Sequence, residues 1–347
     1  MNTTPADLEA HSKRLWKAVV AGDEYEAVDA AADALRDGLA AETVLLEVIA
    51  PIQDRVGREW AADRMTVAQE HIATAVCERA VSLLARSPVA RPPEPPARIA
   101  VACTDGEWHA MPARLLSTVL GLRGWQVDHV GTQLPIPYLI AHLHRTRPAV
   151  AALSSTMITQ LPTAHSAVVA CHAIGIPVLV GGAAYGPDGR YAQLVGAEGW
   201  APDARGVADV LAAGPFPRPA PDHQPLDDLP HLADQEYTLV SRSAHDLVRQ
   251  ALTRLDGTTA ITAQQFLDAS ECVTRLVEVL ATALYLDEPE VLVDYMTWAT
   301  DVLGSRQIPV HARGLRYTLD VLGDRLVDLP RTQGMLDQAR KAMDDPS

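Results

Sequence analysis

The sequence predicts a chain of α/β plus all-α parts: a helical bundle, then a parallel α/β domain, then a second helical domain. Three observations predict it. Proline clusters at residues 87–97 and 214–230, with five and six prolines, divide the 347 residues. Between the clusters, short β-rich runs alternate with helical stretches. Outside them, apolar residues recur at helical spacing. Proline removes an amide donor and restricts the residue before it, so neither cluster forms helix or central strand, and both read as extended linkers.

Residues 1–86 form the first part. LEAHSKRLWKAVVAG and AETVLLEVIAPIQDRVGREWAA carry the helical spacing. The alanine-rich AVDAAADALRDGLA loses little side-chain entropy in a helix. Asp23 and Thr66 are N-cap candidates. The expectation is a bundle of four or five short helices.

Residues 98–213 form the second part. RIAVAC, WQVDHVG, AVAALSS, PVLVGG and AEGWAP read as five strands. ARLLSTVLGLRG, YLIAHLHRT, LPTAHSAVVACHAIG and YAQLVG read as the helices between them. Such alternation implies a parallel sheet covered on both faces. Ligands of such sheets bind beyond the carboxyl ends of the strands, so the loops after Cys103, Gly131, Ser155 and Gly182 are the expected site. After a proline-rich linker over 214–235, residues 236–347 read as helices at 236–255, 260–287, 288–304, 307–322 and 331–344.

Charge and composition narrow the function. Lys and Arg number 29 against 44 Asp and Glu, a formal charge of −15. An acidic chain repels phosphate, so nucleic acid is not an expected partner. No apolar run approaches the ~20 residues of a bilayer crossing, so no membrane partner is expected either. The N-terminus lacks the apolar core of a secretory signal. Cys77, Cys103, Cys171 and Cys272 are scattered, which argues against a zinc or disulfide framework and fits a reducing cytoplasm.

The loop after the first strand reads TDGEWHAMPARLL. His109 sits there at the mouth of the sheet, where neutral imidazole can ligate a metal while a carboxylate orients its other nitrogen. Glu107 and Asp105 are the candidate orienting groups. After the third strand come Ser154, Ser155 and Thr156, small hydroxyls that suit a narrow slot. After the fourth come Gly181 and Gly182, which let a bulky group approach the backbone. Together these elements resemble the cobalamin-binding domain family, whose signature is Asp/Glu-x-His-x-x-Gly, then Ser-x-Leu/Thr, then Gly-Gly. Pro112 stands here in place of the signature glycine. The resemblance implies a flavodoxin-like, Rossmann-like domain in which His109 is the lower axial ligand of cobalt. Ser154, Thr156, Gly181 and Gly182 would line the pocket for the displaced cofactor tail.

The first part adds the spacing Trp60-x9-Glu70-His71. It looks like the cap of light-sensing cobalamin proteins of the CarH type. That resemblance covers residues 1–213 and implies adenosylcobalamin, with Trp60 over the adenosyl group and Glu70 and His71 beside it. Two departures stand out. Ala61 replaces the histidine that follows the tryptophan in that type, which excludes a bis-histidine light state through this position. No DNA-binding segment precedes the bundle, so a different output is expected.

The order of bundle, cobalamin domain and helical tail looks like the photocobilins, photoreceptors that pair cobalamin with a bilin on a C-terminal globin-like domain without haem. Bilin propionates need cations, for which the arginine fork is best suited. Arg306, Arg313 and Arg316 cluster in sequence near His311, and Tyr295, Trp298 and Tyr317 offer aromatic surface. The alternative for these residues is a dimerisation bundle with a solvated arginine face and core aromatics. Cys272 lies in an apolar run and reads as a buried structural thiol rather than a bilin attachment.

These readings make the chain a light-sensing regulator that binds adenosylcobalamin and a bilin such as biliverdin. It would act as a homo-oligomer on a downstream protein. The alternative is a corrinoid protein carrying methyl groups for a partner methyltransferase. A mutase subunit is a third class, but it needs a substrate barrel of ~250 residues, which no segment here supplies. No nucleophile–base pair or paired carboxylates point to independent catalysis, so a regulatory protein is expected rather than an enzyme.

Overall fold

The computed structural model describes residues 5–88, 97–219, 229–256, 263–305 and 312–344. The chain divides into two compact units, Met1–Gln224 and Pro225–Ser347.

The first unit opens with α1 (Pro5–Ala21) and α2 (Glu24–Arg36). The Asp23 carboxylate accepts from the Glu26 amide at 3.0 Å and starts α2. Ala27, Ala30, Ala31 and Ala34 form the buried stripe of α2, and their small side chains let it pack closely on α1. The next rod passes from α3 (Ala41–Thr43) through a π-helical segment (Val44–Ile49) into α4 (Ala50–Ala61). Its wide turn precedes Pro51, whose ring and missing amide do not fit a regular α-helical turn. The sequence periodicity reads this rod as plain helix. α5 (Val67–Leu84) begins with a full capping box: Gln69 N donates to Thr66 Oγ1 at 3.2 Å and Thr66 N to Gln69 Oε1 at 2.9 Å.

The α/β part holds β1 (Arg98–Cys103), β2 (Gln126–Gly131), β3 (Val150–Ser154), β4 (Val178–Gly181) and β5 (Gly199–Ala201). All pair in parallel, in the order β2-β1-β3-β4-β5. That is the flavodoxin-like order, with its switch point between β1 and β3. The connecting helices are α6 (Ala110–Leu122), α7 (Ile136–Thr146), α8 (Leu161–Ala173), α9 (Arg190–Leu194) and α10 (Ala204–Ala212). β1 and β3 lie between helices and are apolar nearly throughout, whereas the edge strand β2 is only half-buried.

The bundle packs on α6 through α3, the π segment and α5. Leu15, Leu45, Ile49 and Leu84 of the bundle belong to one apolar core with Val101, Leu116, Leu120 and Leu211 of the α/β part. At its edge Arg123 forks onto Glu42 at 2.8 and 3.0 Å and reaches Asp209 at 2.7 Å. Arg205 pairs with Glu47 at 3.1 Å. Phe216, just past α10, packs on the same core.

The second unit is helical. A 3-10 turn (Pro230–Asp234) leads into α11 (Glu236–Asp256), α12 (Ala263–Leu286), α13 (Glu290–Ser305), α14 (Ala312–Arg325) and α15 (Pro330–Asp344). Leu276, Leu280, Leu284, Leu292, Leu319 and Leu336 are among its buried side chains. The buried Glu236 carboxylate accepts from the amides of Arg331 (3.0 Å) and Thr332 (2.7 Å) at the start of α15. Arg331 in turn holds Asp234 at 2.8 Å, Asp287 at 3.0 Å and the Leu284 carbonyl at 2.6 Å. Among the described residues no helix is long and apolar enough to cross a membrane.

The α5 cap gives a direct check. Thr66→Ala should cost about 1 kcal/mol, read as a lowered unfolding midpoint in thermal denaturation followed by circular dichroism.

Candidate functional site

β1 ends at Cys103 and the chain turns at once, the Glu107 amide donating to the Thr104 carbonyl at 2.9 Å. This turn drops the Glu107 side chain inward, where it is 1% exposed. One carboxylate oxygen, Oε1, accepts from the His109 amide at 2.9 Å and from His109 Nδ1 at 2.6 Å. The other, Oε2, accepts from the amides of Thr156 at 2.6 Å and Met157 at 3.3 Å, in the loop after β3. Burial alone raises the Glu107 carboxyl, but the hydrogen bonds from the His109 ring, the His109 amide and the Thr156 amide outweigh it and hold it at about 2. Glu107, and not Asp105, therefore orients the imidazole.

A carboxylate only accepts, so His109 Nδ1 carries a proton, and in the neutral ring Nε2 holds the lone pair. The His109 side chain is half-exposed, and the residue stands at the N-cap position of α6 without a side-chain capping bond. Pro112 falls in the first turn of that helix, where its missing amide would be unpaired in any case. The replacement of the signature glycine leaves α6 intact.

The other two loops close on this one. Thr104 N donates to the Ser154 carbonyl and Ser155 N to the Gly181 carbonyl, each at 3.0 Å. Gly182 has φ +104°, and a Cβ there would lie 2.3 Å from the Ser155 carbonyl oxygen. Only glycine allows this approach. A Cβ on Gly181 would lie 3.3 Å from the Ala201 carbonyl. Thr156 Oγ1 is buried and has no hydrogen-bond partner in the protein. A buried hydroxyl left so is costly and points to an atom of a bound molecule. An imidazole with a buried carboxylate behind it, beside an orphaned hydroxyl at the mouth of a parallel sheet, has the donor set of an axial metal ligand beside a cofactor pocket. The residues present therefore fit a corrinoid.

The expected upper-face residues lie in the bundle. Trp60, at the end of α4, is half-buried and packs on the bundle core. Glu70 and His71 lie side by side in the first turns of α5: His71 Nδ1 is 2.7 Å from Glu70 Oε2, and its side chain is 73% exposed. Thr74 Oγ1 lies 3.1 Å from both Glu70 Oε1 and Gln53 Oε1.

In the second unit Tyr295 and Trp298 pair, with ring centroids 5.8 Å apart. The Tyr295 hydroxyl donates to the Cys272 carbonyl at 3.3 Å, and Cys272 is only partly buried. Arg316 pairs with Asp344 and reaches the Arg340 carbonyl at 3.4 Å, which ties its guanidinium to α15. Arg306, His311 and the side chain of Arg313 lie outside the described residues. Sequence reasoning missed Thr104 and Tyr185, which join Ser155 in one buried hydroxyl cluster. A Thr after one strand and a Ser after the next but one gave a faint signal; Tyr185 gave none.

The position of Glu107 sets a pH dependence. Its folded pKa of about 2 lies below the ~4.3 of an unfolded glutamate. Its contribution to stability is thus complete above about pH 4.3 and lost as pH falls through about 2. Glu107→Gln should be less stable than the parent chain at pH 7, and the gap in unfolding midpoint should narrow as pH falls toward 2. A gap independent of pH would mean that the carboxylate charge is not what the site uses.

Comparisons with known proteins agree with this geometry. Residues 12–85 match one B12 binding domain family and residues 97–208 match a second. The monomethylamine corrinoid protein of Methanosarcina barkeri is similar in structure, with TM-score 0.51 and 18% identity over 58% of this chain and 97% of that one. A novel cobalamin-binding protein from Desulfitobacterium hafniense DCB-2 gives TM-score 0.33 and 20% identity, over 60% of this chain and 98% of that one. The methanol:cobalamin methyltransferase complex of Methanosarcina barkeri gives TM-score 0.32 and 17% identity, over 62% of this chain and 87% of that one. No curated protein sequence matches the chain. The first unit therefore carries two B12-binding domains, a helical one over residues 12–85 and an α/β one over residues 97–208.

Proposed function

We propose that this chain is a light-responsive regulator whose first unit binds adenosylcobalamin, with His109 Nε2 as the lower axial ligand. The observation that carries the binding half is the Glu107–His109 pair: a buried carboxylate fixes a half-exposed imidazole by its Nδ1. The hydrogen bond to Glu107 also makes the imidazole a stronger ligand. Thr156 Oγ1 donates to the cofactor tail, which Ser154, Gly181 and Gly182 enclose. When bound, adenosylcobalamin supplies a light-labile cobalt–carbon bond.

The sensing half rests on the bundle. Trp60 shields the upper face from water, Glu70 accepts from ribose hydroxyls, and His71 lies beside it. Ala61 offers no second imidazole, so no bis-histidine state forms through this position. In the second unit, the exposed Trp298 (47%) against Tyr295 supports a bilin surface such as biliverdin would use. Arg306, His311, Arg313 and Arg316 are its proposed cationic rim, on a globin-like arrangement of the helices. The output is a change of homo-oligomer interface read by a downstream protein.

A second reading has one observation behind it. The protein that this chain covers over 97% of its length is named a monomethylamine corrinoid protein. On that reading the chain carries methyl groups for a partner methyltransferase.

The experiment loads the full chain with adenosylcobalamin in the dark and records absorption and oligomeric state before and after illumination. Light should change both, and His109→Ala should weaken corrinoid binding by at least about tenfold and remove the histidine-ligated spectrum. A corrinoid held by His109 with no change in assembly under light would favour the methyl carrier. A chain that takes up no corrinoid would end both readings. Co-expression with a bilin source should add far-red absorption, and a holoprotein coloured by cobalamin alone would remove the bilin.

A further inference from the structure

Three hydroxyls are buried in the loops that hold the Glu107–His109 pair. Thr104 follows β1, Ser155 follows β3, and Tyr185 ends the 3-10 turn Ala183–Tyr185 after β4. They are 1%, 0% and 0% exposed. Thr104 Oγ1 lies 2.5 Å from Ser155 Oγ, and Ser155 Oγ lies 3.4 Å from Tyr185 Oη. Each hydroxyl has one proton to give. The three form a chain, Thr104–Ser155–Tyr185, in which the Ser155 hydroxyl bonds both neighbours.

This chain of hydroxyls joins the three loops that build the site. Thr104 lies three residues before Glu107 and accepts its amide at 2.9 Å. Ser155 immediately precedes Thr156, whose amide holds the far oxygen of Glu107 at 2.6 Å. Ala184, next to Tyr185, donates to the Ser155 carbonyl at 3.2 Å. Glu107 is thus suspended between two loops, and their separation is fixed by the Thr104–Ser155 contact. Tyr185 completes that contact from the β4 side. Without its hydroxyl Ser155 Oγ loses one of these two partners, and a bond lost between buried groups is more costly than one lost between exposed groups.

We propose that Tyr185 is a positioning residue for His109, acting through Ser155, Thr104 and Glu107. The consequence for cobalt rests on the axial-ligand reading above; the positioning of the imidazole does not.

The test uses the full chain with Tyr185→Phe, which keeps the ring and removes the hydroxyl. Without corrinoid, the His109 imidazole N–H proton is followed by NMR. With cob(II)alamin bound, the nitrogen splitting in the electron paramagnetic resonance spectrum reports axial histidine. Tyr185→Phe should move the N–H resonance and speed its exchange with water, and should lower the histidine-ligated affinity for cob(II)alamin about tenfold. Val168→Ala, a change at a fully buried site in α8, controls for lost stability and should leave the resonance in place. An unchanged resonance in Tyr185→Phe overturns the proposal, as does an equal change in Val168→Ala. If Tyr185→Phe does not fold, Ser155→Ala breaks the chain at its middle member and is read in the same way. A moved resonance in a chain whose parent takes up no cob(II)alamin removes the ligand reading and leaves the positioning role standing.

Discussion

A carboxylate buried to 1% exposure survives ionised only if hydrogen bonds replace its water, and Glu107 obtains them from two different loops. The loop after β1 brings its own amide and ring donors from His109. The loop after β3 must bring the amides of Thr156 and Met157 to within reach. Neither loop satisfies the charge alone, so the charge needs both loops held together, as the Thr104–Ser155 contact holds them. The close approach at Gly182 then follows, because the loop after β4 has to pass against Ser155 with no room for a side chain. The orientation of one imidazole is therefore the product of three loops and not of its own.

Around this centre the first unit is built as one body. The helical B12-binding domain does not sit on the α/β domain by charge alone. Its apolar side chains run into the same core as those of α6, α10 and the strands. The arginine pairs at the border, Arg123 with Glu42 and Arg205 with Glu47, are partly exposed, and exposed pairs contribute typically about 0.2–1 kcal/mol each. They set the register of the contact; burial of apolar area holds it. The π-helical segment before Pro51 lies among the parts of the bundle that touch α6, so an accommodation to proline also shapes this contact.

The second unit shows the same logic with another buried carboxylate. Glu236 takes the first amides of α15, and Arg331 gathers Asp234, Asp287 and the Leu284 carbonyl. These bonds tie the start of α11, the end of α12 and the start of α15. The paired rings of Tyr295 and Trp298 lie elsewhere, on α13, with Trp298 turned partly to solvent.

The order of the parts was written in the sequence, because proline clusters and hydrophobic periods are local properties of the chain. The five strands, the caps at Asp23 and Thr66 and the five C-terminal helices follow from residues within a few positions of each other. His109 and Glu107 were legible for the same reason: two positions apart, they meet within one turn. Tertiary structure alone decided what lies further off in sequence. It brought Thr156, some 50 residues away, onto the second oxygen of Glu107, and set Tyr185 against Ser155 at a sequence separation of 30. It also widened one helical turn ahead of Pro51. Local spacing encodes which residues share an element, but which loops meet depends on how the strands order themselves in the sheet, and no single stretch of chain records that.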